Sequence, residues 1–279
     1  MIVSHQDGEL ALGFRCDASG RTHMAWRRQR FPLRTTVPFY LDSGDPGMAF
    51  VYVQNPTGGM FAGDRLATEV VAERGARVHL TTQSATKLYR MESGGAVQDL
   101  AFRLHDGAFV EHVPDPLIPQ AGARFRQRIA VELGHGATFL ATEVVAPGRR
   151  ARGERFAYRS LLLSTEVRRA GRELCADTLL LEPQRRSPAL PGLLGRHDYL
   201  ASLLVVAPEH DAERLSARLD RALQARSDVL GAAGALPGGS GALVRVLAEG
   251  ALAVRRALAA AWGVTRAELF DLPLPAVRK

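Results

Sequence analysis

The first two thirds of the chain alternate between apolar and polar positions over short stretches, which Gly, Pro and Asp interrupt. From residue 10 to about 182 this period of two predicts β-strands joined by tight turns, with almost no helix. Three units share one design, in which a strand-like stretch leads through Gly-Ala into a second strand; they cover 68–82, 102–113 and 129–145. Each glycine can take the positive φ of a hairpin turn. The pattern predicts stacked hairpins in an elongated β-sandwich or irregular β-helix, or else ordinary consecutive hairpins without true repetition.

The hydrophobic period changes after Pro208. Spacings of three and four predict an amphipathic helix through Ala212, Leu215, Leu219, Ala222, Leu223 and Leu230. A strand over 200–206 precedes it, a hairpin turns at 237–241, and a second helix covers about 251–262. Prolines cannot continue that helix, so we expect a loose tail over 272–279. The expected fold is mainly β in one domain over 1–279, β-rich over 1–182, with strands and two α-helices over 183–279.

The charge of the chain, +7 with a pI near 10.1, raises the question of nucleic acid. The arginines are scattered among acids, however, and lysine occurs only at Lys87 and Lys279. We therefore expect no nucleic-acid partner, although a basic nucleic-acid-binding protein remains an alternative. No apolar stretch approaches the roughly 20 residues that cross a bilayer, and no signal peptide is evident. Cys16 and Cys175 lack the spacing of a zinc site, so the expected setting is the reducing cytoplasm.

Three patterns that point to chemistry prove weak. The loop Gly58–Asp64 resembles a phosphate loop in its glycines, but Asp64 and Arg65 replace the lysine and hydroxyl residue that bind phosphate and magnesium. Ser84 and Lys87 match the Ser-x-x-Lys pattern of serine acyl-enzymes without its companion motifs, which leaves a serine-type hydrolase as a second alternative. Three scattered histidines lie in the strand-rich part: His79, His105 and His112. Of these, His112 is expected to share a sheet face with a neighbouring carboxylate. No catalytic residues are assigned, and a binding protein that is not an enzyme is expected.

Two motifs resemble the UreD family of urease accessory proteins, called UreH in some bacteria. The first is Pro-x-Gly-Gly-x-x-x-Gly-Asp within 54–66, and the second is Thr-Thr-x-x-Ala-Thr-Lys-x-Tyr-Arg within 80–90. Further matches at 34–40, 122–128, 147–156 and 243–245 extend the resemblance over nearly the whole chain. The motif positions in this sequence are Pro56, Gly58, Gly59, Gly63, Asp64, Thr81, Thr82, Ala85, Thr86, Lys87, Tyr89 and Arg90.

The resemblance implies a scaffold for nickel insertion. Such relatives are elongated, mostly β proteins that bind UreF and, through it, the GTPase UreG, and that dock this assembly on apo-urease; a dimeric assembly through UreF is expected. GTP is used by UreG, and no cofactor is expected to be tightly bound here. Nickel is handled transiently, through an internal passage. The acids that the resemblance places along that passage are Asp64, Glu143 and Asp177, and the alternative for Asp64 is that it only stabilises its turn.

This sequence departs from the family pattern at two places. The usual His-Pro-Pro-Gly-Gly is Asn-Pro-Thr-Gly-Gly at 55–59, which removes a histidine of the type that contacts nickel. The stretch 115–121 lacks the aromatic residue that is common before the Gly-Ala-Arg match. A metal role at residue 55 and the partner surface near 115–121 are therefore in doubt.

Overall fold

The computed structural model describes residues 6–277 and is mainly β. Its first nine strands are β1 (Asp7–Cys16), β2 (Thr22–Arg30), β3 (Arg34–Thr35), β4 (Ala49–Gln54), β5 (Gly59–Met60), β6 (Arg65–Ala72), β7 (Arg77–Thr82), β8 (Thr86–Leu88) and β9 (Ala96–Leu104). The remaining elements are β10 (Phe109–His112), β11 (Leu117–Pro119), β12 (Arg124–Leu133), β13 (Thr138–Val145), β14 (Ser160–Arg169), β15 (Arg172–Leu181), β16 (Tyr199–Val206), α1 (Ala212–Gln224), β17 (Leu230–Ala235), β18 (Gly241–Ala248) and α2 (Ala251–Phe270). Both helices lie in the C-terminal third, as predicted.

The three Gly-Ala units are successive coils of a β-solenoid. The first strand of each unit lies in a seven-stranded sheet with the order β15-β14-β12-β9-β6-β1-β2, in which β6, β9 and β12 run parallel. The second strand lies in the main path of a larger sheet, ordered β17-β18-β16-β13-β10-β7-β4-β3, in which β7, β10 and β13 run parallel. Of the alternatives raised by the sequence, the irregular β-helix describes the fold. Hairpin pairing within each unit is wrong, because the two strands of a unit pair with neighbouring units instead of with each other.

The turns that separate the two sheets also stack. Gly75, Gly107 and Gly136 have φ values of 68°, 66° and 65°, so each takes the left-handed conformation that glycine adopts without a Cβ penalty. The amide of Gly75 donates to the carbonyl of Asp106 in the next coil, and the amide of Gly107 donates to the carbonyl of His135 in the one after. Repetition at intervals of about 30 residues therefore reflects a true structural repeat.

The main core lies between the two sheets. Alternate residues of each strand point inward, and they include Leu12, Val70, Phe102 and Phe139, each at most 2% exposed. Full burial of one such side chain contributes about 1.5–3 kcal/mol, so this layer provides much of the stability. A second core fills the space between the outer face of the larger sheet and the two helices. The larger sheet is thus covered on both faces over much of its width.

The helices and the tail differ in part from the predicted boundaries. Asp211 begins α1 by accepting the Arg214 amide at 2.9 Å, but Leu230, which was assigned to this helix, begins β17. Helix α2 continues eight residues past Trp262, because its last turns bury further side chains against the sheet. The tail was predicted to be loose; over 272–277 it is held, since the Arg266 Nε donates to the Pro273 carbonyl at 2.9 Å and Val277 packs on the second core. Residues 278–279 lie outside the described residues.

Candidate functional site

The two motifs of the UreD resemblance meet in the structure. Strand β5 pairs with β8 in parallel, which aligns Gly59 with Lys87 and Met60 with Leu88. A Cβ on Gly59 would lie 2.2 Å from the Lys87 carbonyl oxygen, so this close approach requires glycine. One residue beyond each strand, the rings of Phe61 and Tyr89 stack with centroids 4.4 Å apart. Packing between neighbouring coils therefore brings the two motifs together and requires glycine at position 59.

Asn55, which stands where the family pattern has histidine, holds the turn before β5. Its Oδ1 accepts the Thr57 amide at 3.1 Å and the Thr57 hydroxyl at 2.6 Å, and its Nδ2 donates to the Gly59 carbonyl at 3.1 Å. The amide group is thus engaged in local hydrogen bonds of the Asx-turn type. Its contacts give residue 55 a structural role.

Asp64 has the same kind of role at the next corner. The carboxylate is 2% exposed; its Oδ1 accepts the Gln6 amide at 3.0 Å, and its Oδ2 accepts the Phe61 amide at 2.8 Å. Both oxygens thus hold backbone N–H groups, one from the loop itself and one from the segment before β1. Of the two interpretations of Asp64, these contacts favour turn stabilisation over a place in a nickel passage.

Substitution of Asp64 by alanine is expected to destabilise the fold by about 1–3 kcal/mol, because two partly buried backbone amides lose the buried carboxylate that accepts their hydrogen bonds. An asparagine side chain at this position retains one acceptor oxygen, so Asp64→Asn should cost less than Asp64→Ala. Urea unfolding followed by tryptophan fluorescence measures both changes. If Asp64→Ala unfolded at the same urea concentration as the wild type, the two backbone hydrogen bonds would not be significant for stability.

The remaining patterns do not assemble a catalytic site. Ser84 lies in a bend and Lys87 in β8, so these two residues do not occupy the successive helical turn that the acyl-enzyme pattern requires. Among the histidines, His105 is exposed at a turn between coils, whereas His79 and His112 are buried. His112 pairs with Ala141, which places it on the inner face of the larger sheet, the same face as Glu143.

Burial lowers the pKa of His112 to about 3, and the neighbouring His79 acts on this pKa in the same direction. The His112 ring packs against Phe102 at 5.2 Å between centroids, and its Nδ1 has no hydrogen-bond partner within the described residues. The imidazole is therefore neutral at any physiological pH. The expectation that a histidine shares a sheet face with a carboxylate is met by His112 and Glu143.

A buried charge network that the sequence did not reveal fixes α2 to the outer face of the larger sheet. The fully buried Glu111 accepts hydrogen bonds from Trp262 Nε1 at 2.7 Å and from Arg266 Nη1 at 2.9 Å. It also contacts His79 Nδ1 at 2.9 Å, and since a carboxylate only accepts, the Nδ1–H of His79 is the donor. Arg266, also fully buried, pairs in addition with Asp42. Because an unpaired charge is costly in the protein interior, each member of this network needs the others.

The imidazole ring of His79, which also belongs to the network, is stacked between two aromatic rings. It stacks between Phe50 at 4.7 Å and Trp262 at 5.2 Å, measured between ring centroids. The network therefore joins a strand pair of the solenoid, the loop that contains Asp42, and α2. Its residues hold the C-terminal helix in place and leave little free surface for a ligand.

Glu143 and Asp177, two of the three acids assigned by resemblance, lie close together between the sheets. Glu143 is on β13 of the larger sheet. Its Oε1 accepts a hydrogen bond of 2.5 Å from Nε2 of Gln127, which lies on β12 of the opposite sheet. Burial raises the pKa of Glu143 to about 7, and the negative charge of Asp177 acts in the same direction; Arg245 and the Gln127 hydrogen bond act in the opposite direction. Asp64, at the corner between β5 and β6, belongs to a different part of the solenoid.

Asp177 forms a second bridge between the sheets. Both of its carboxylate oxygens contact Nη2 of Arg245 on β18, at 2.5 and 2.6 Å. In residues 6–277 no three His, Cys, Asp or Glu side chains stand close enough together to hold a metal ion. The arrangement therefore provides two neighbouring carboxylates that a cation could contact one after the other. It does not form a closed site with four ligands.

Comparison with known proteins agrees with the motif resemblance. The family described as UreD urease accessory protein matches residues 6–279. A protein named urease accessory protein UreD from Mycolicibacterium gilvum is 39% identical over 265 residues, which are 95% of this chain and 96% of that protein. The corresponding protein of Haloarcula marismortui is 36% identical over 98% of this chain and 91% of its own length, and UreD 2 of Streptomyces griseus is 38% identical over 97% and 92%. The chain belongs to the UreD family of urease accessory proteins.

Proposed function

We propose that this chain is a non-catalytic scaffold for nickel insertion into urease, which binds UreF and UreG and docks them on apo-urease. The observation that carries the proposal is the match to the UreD family over residues 6–279, with a relative that is 39% identical over 95% of this chain. GTP hydrolysis is assigned to UreG, because the Gly58–Asp64 loop presents a carboxylate where a phosphate loop needs a lysine. We place its action in the cytoplasm. No helix within residues 6–277 is long and apolar enough to span a membrane.

An exposed apolar strip supports the docking role. Val37, Phe39 and Leu41 alternate along the extended segment after β3 and are 62%, 42% and 39% exposed. Phe39 is held at the sheet edge by paired backbone hydrogen bonds with Phe50. Large apolar side chains that are exposed side by side are typical of surfaces that bind other proteins. Val37 and Phe39 lie in the segment 34–40, whose sequence matches the family.

Coexpression with UreF, followed by size-exclusion chromatography, tests the scaffold. We expect this chain and UreF to co-elute, to recruit UreG, and to bind apo-urease as one assembly. A variant with Val37→Ser and Phe39→Ser should keep its fold by circular dichroism and lose part of this association; Leu230→Ser, at an exposed site on the distant strand β17, is the matched control. Elution of the wild-type chain apart from both UreF and apo-urease would contradict the proposal.

We further propose that nickel passes between the two sheets along Glu143 and Asp177 as a transient cargo. The support is their placement: two carboxylates between the two sheets of the solenoid, close enough for the charge of one to raise the pKa of the other. Carboxylate oxygens bind divalent cations, and an incomplete ligand set allows the ion to leave again. An Asp177→Asn variant should still assemble with UreF but deliver less nickel, measured as metal content and activity of the urease that it matures.

A further inference from the structure

Arg245 connects the two sheets near their lateral edge. It lies in the middle of β18 and pairs with Ser202 on β16, which in turn pairs with Glu143 on β13. Residues in register on neighbouring strands share a face, so the Arg245 and Glu143 side chains both leave the inner face of the larger sheet. The guanidinium group of Arg245 crosses to Asp177 on β15, the edge strand of the seven-stranded sheet.

The two bridges between the sheets lie at different depths. Strand β15 is two strands away from β12, and β18 is two strands away from β13, so the Asp177–Arg245 bridge is nearer the edge than the Gln127–Glu143 bridge. The side chains of Arg245 and Asp177 are 35% and 21% exposed, whereas Gln127 is 7% exposed and Glu143 is half-buried. A solute that enters from this edge meets the Asp177–Arg245 bridge before it reaches Glu143.

Arg245 occupies the place that a cation would take at Asp177. One guanidinium nitrogen lies within hydrogen-bond distance of both carboxylate oxygens, so Arg245 stands where a metal ion held by both oxygens would bind. A bound divalent ion would also face a positive charge a few ångströms away, in surroundings of lower dielectric constant than water. Binding of an ion at Asp177 therefore requires that Arg245 first leave.

We propose that Arg245 is the gate of the passage between the sheets: it holds Asp177 while no ion is present, and it swings out to admit a divalent cation to Asp177 and Glu143. The partial exposure of Arg245 and its flexible stem give it a route into solvent. Ser202, the residue between Arg245 and Glu143 in the cross-strand row, has a small side chain that does not block that row. The identity of the cation as nickel rests on the proposed function; the gate itself requires only a divalent ion.

Titration of the full-length chain with Ni²⁺ by isothermal calorimetry tests the gate. We expect Arg245→Gln to bind Ni²⁺ at least tenfold more tightly than the wild type, because the competing cation is gone. Arg245→Lys retains the positive charge but lacks the guanidinium fork, so its affinity should lie between the two. The double variant Arg245→Gln with Asp177→Asn should lose the gain.

Arg15→Gln is the matched control, since it removes one arginine from a carboxylate pair with Glu73 on the surface. It should leave Ni²⁺ affinity unchanged. Thermal unfolding shows whether each variant is folded, and Arg245→Lys keeps the test informative if Arg245→Gln unfolds. Equal affinity in the wild type, Arg245→Lys and Arg245→Gln, or a gain that persists without Asp177, would overturn the gate and leave a purely structural bridge between the sheets.

The outcome for the gate is distinguishable from the outcome for the proposed function. If Asp177→Asn lowers nickel delivery to urease while Arg245→Gln shows no gain in affinity, the passage stands and the gate is wrong. If Arg245→Gln gains affinity through Asp177 while Asp177→Asn matures urease normally, the gate over a cation site stands and the passage to urease is wrong.

Discussion

Replacement of Glu111 by alanine is expected to destabilise the fold by about 3–5 kcal/mol, the range for breaking a buried ion pair by removal of one partner. Glu111 and Arg266 are both fully buried, and without Glu111 the guanidinium retains Asp42, the Pro273 carbonyl and the weakly accepting Met48 sulfur. The Trp262 indole N–H and His79 lose their partner as well. The free energy of unfolding in urea, followed by tryptophan fluorescence, measures the loss.

Two controls show whether the loss comes from burial of the charge. Glu73→Ala removes a carboxylate of the same type from a surface pair with Arg15, and it should leave the unfolding midpoint nearly unchanged. Arg266→Leu should be strongly destabilising by itself, and its effect should not add to that of Glu111→Ala, because both changes disrupt one network. A loss from Glu111→Ala as small as that from Glu73→Ala would show that α2 is held by its apolar contacts alone.

The sequence predicted the strands and the glycine turns correctly, because both depend on local chemistry. Alternation shows which face of a strand is buried, and the Gly-Ala pairs mark the turns at Gly75, Gly107 and Gly136. Alternation does not show which strand pairs with which, since a period of two is the same in a hairpin and in a solenoid coil. The prediction of hairpins within each unit was therefore wrong, because each strand pairs with strands that lie about 30 residues away along the chain.

The buried network could not be found from the sequence for a similar reason. Glu111 and Arg266 are separated by 155 positions, and a charged residue in a helix is ordinarily assigned to its solvent face. Helix α2 was predicted to end near Trp262; the structure continues it to Phe270, and in these last turns the buried Thr265 donates to the Ala261 carbonyl of the same helix while Arg266 contacts Glu111 on the sheet. A helix whose buried face is partly polar gives no clear hydrophobic period.

The acids between the sheets were located only through the resemblance to UreD. Nothing in the local sequence of Glu143 or Asp177 distinguishes them from other acids on strands, and their proximity depends on how two sheets face each other. Arg245 lies in a segment that matches the family, but its pairing with Asp177, 68 positions away, is visible only in three dimensions. The same resemblance placed Asp64 beside them, whereas its contacts belong to a separate corner.

Glu143→Gln is expected to stabilise the protein relative to the wild type as pH rises from 4.5 to 7. Burial raises the pKa of Glu143 from its usual 4.5 to about 7, so in this interval the folded state binds more protons than the unfolded state. The contribution of Glu143 to stability is therefore complete below pH 4.5 and is lost as pH rises through 7. Glutamine does not titrate, and it keeps the contact with Gln127.

The expected difference in the free energy of unfolding between Glu143→Gln and the wild type grows by about 1–3 kcal/mol over this interval, at 1.36 kcal/mol per unit of pKa shift and with partial solvent exposure of the carboxylate taken into account. The wild-type profile alone would conceal this change. Burial lowers the pKa of His112 to about 3, so the contribution of His112 to stability is lost as pH falls below about 6.5, opposite in sign to Glu143. Both chains retain His112, and its effect cancels in the difference.

Urea unfolding at half-unit steps from pH 4 to 8 measures this difference. Glu132→Gln, on the exposed face of β12, makes the same chemical change in solvent, and its profile should remain parallel to that of the wild type. A Glu143→Gln profile that is also parallel would mean that Glu143 has the same pKa in the folded and unfolded states, because Arg245 offsets the effect of burial, and that it is ionised at neutral pH. In that case the space between the sheets would be wet enough to hold two carboxylates and one guanidinium as ions, and the gain in Ni²⁺ affinity on opening the Asp177–Arg245 bridge should be correspondingly larger, because both acids would already be charged.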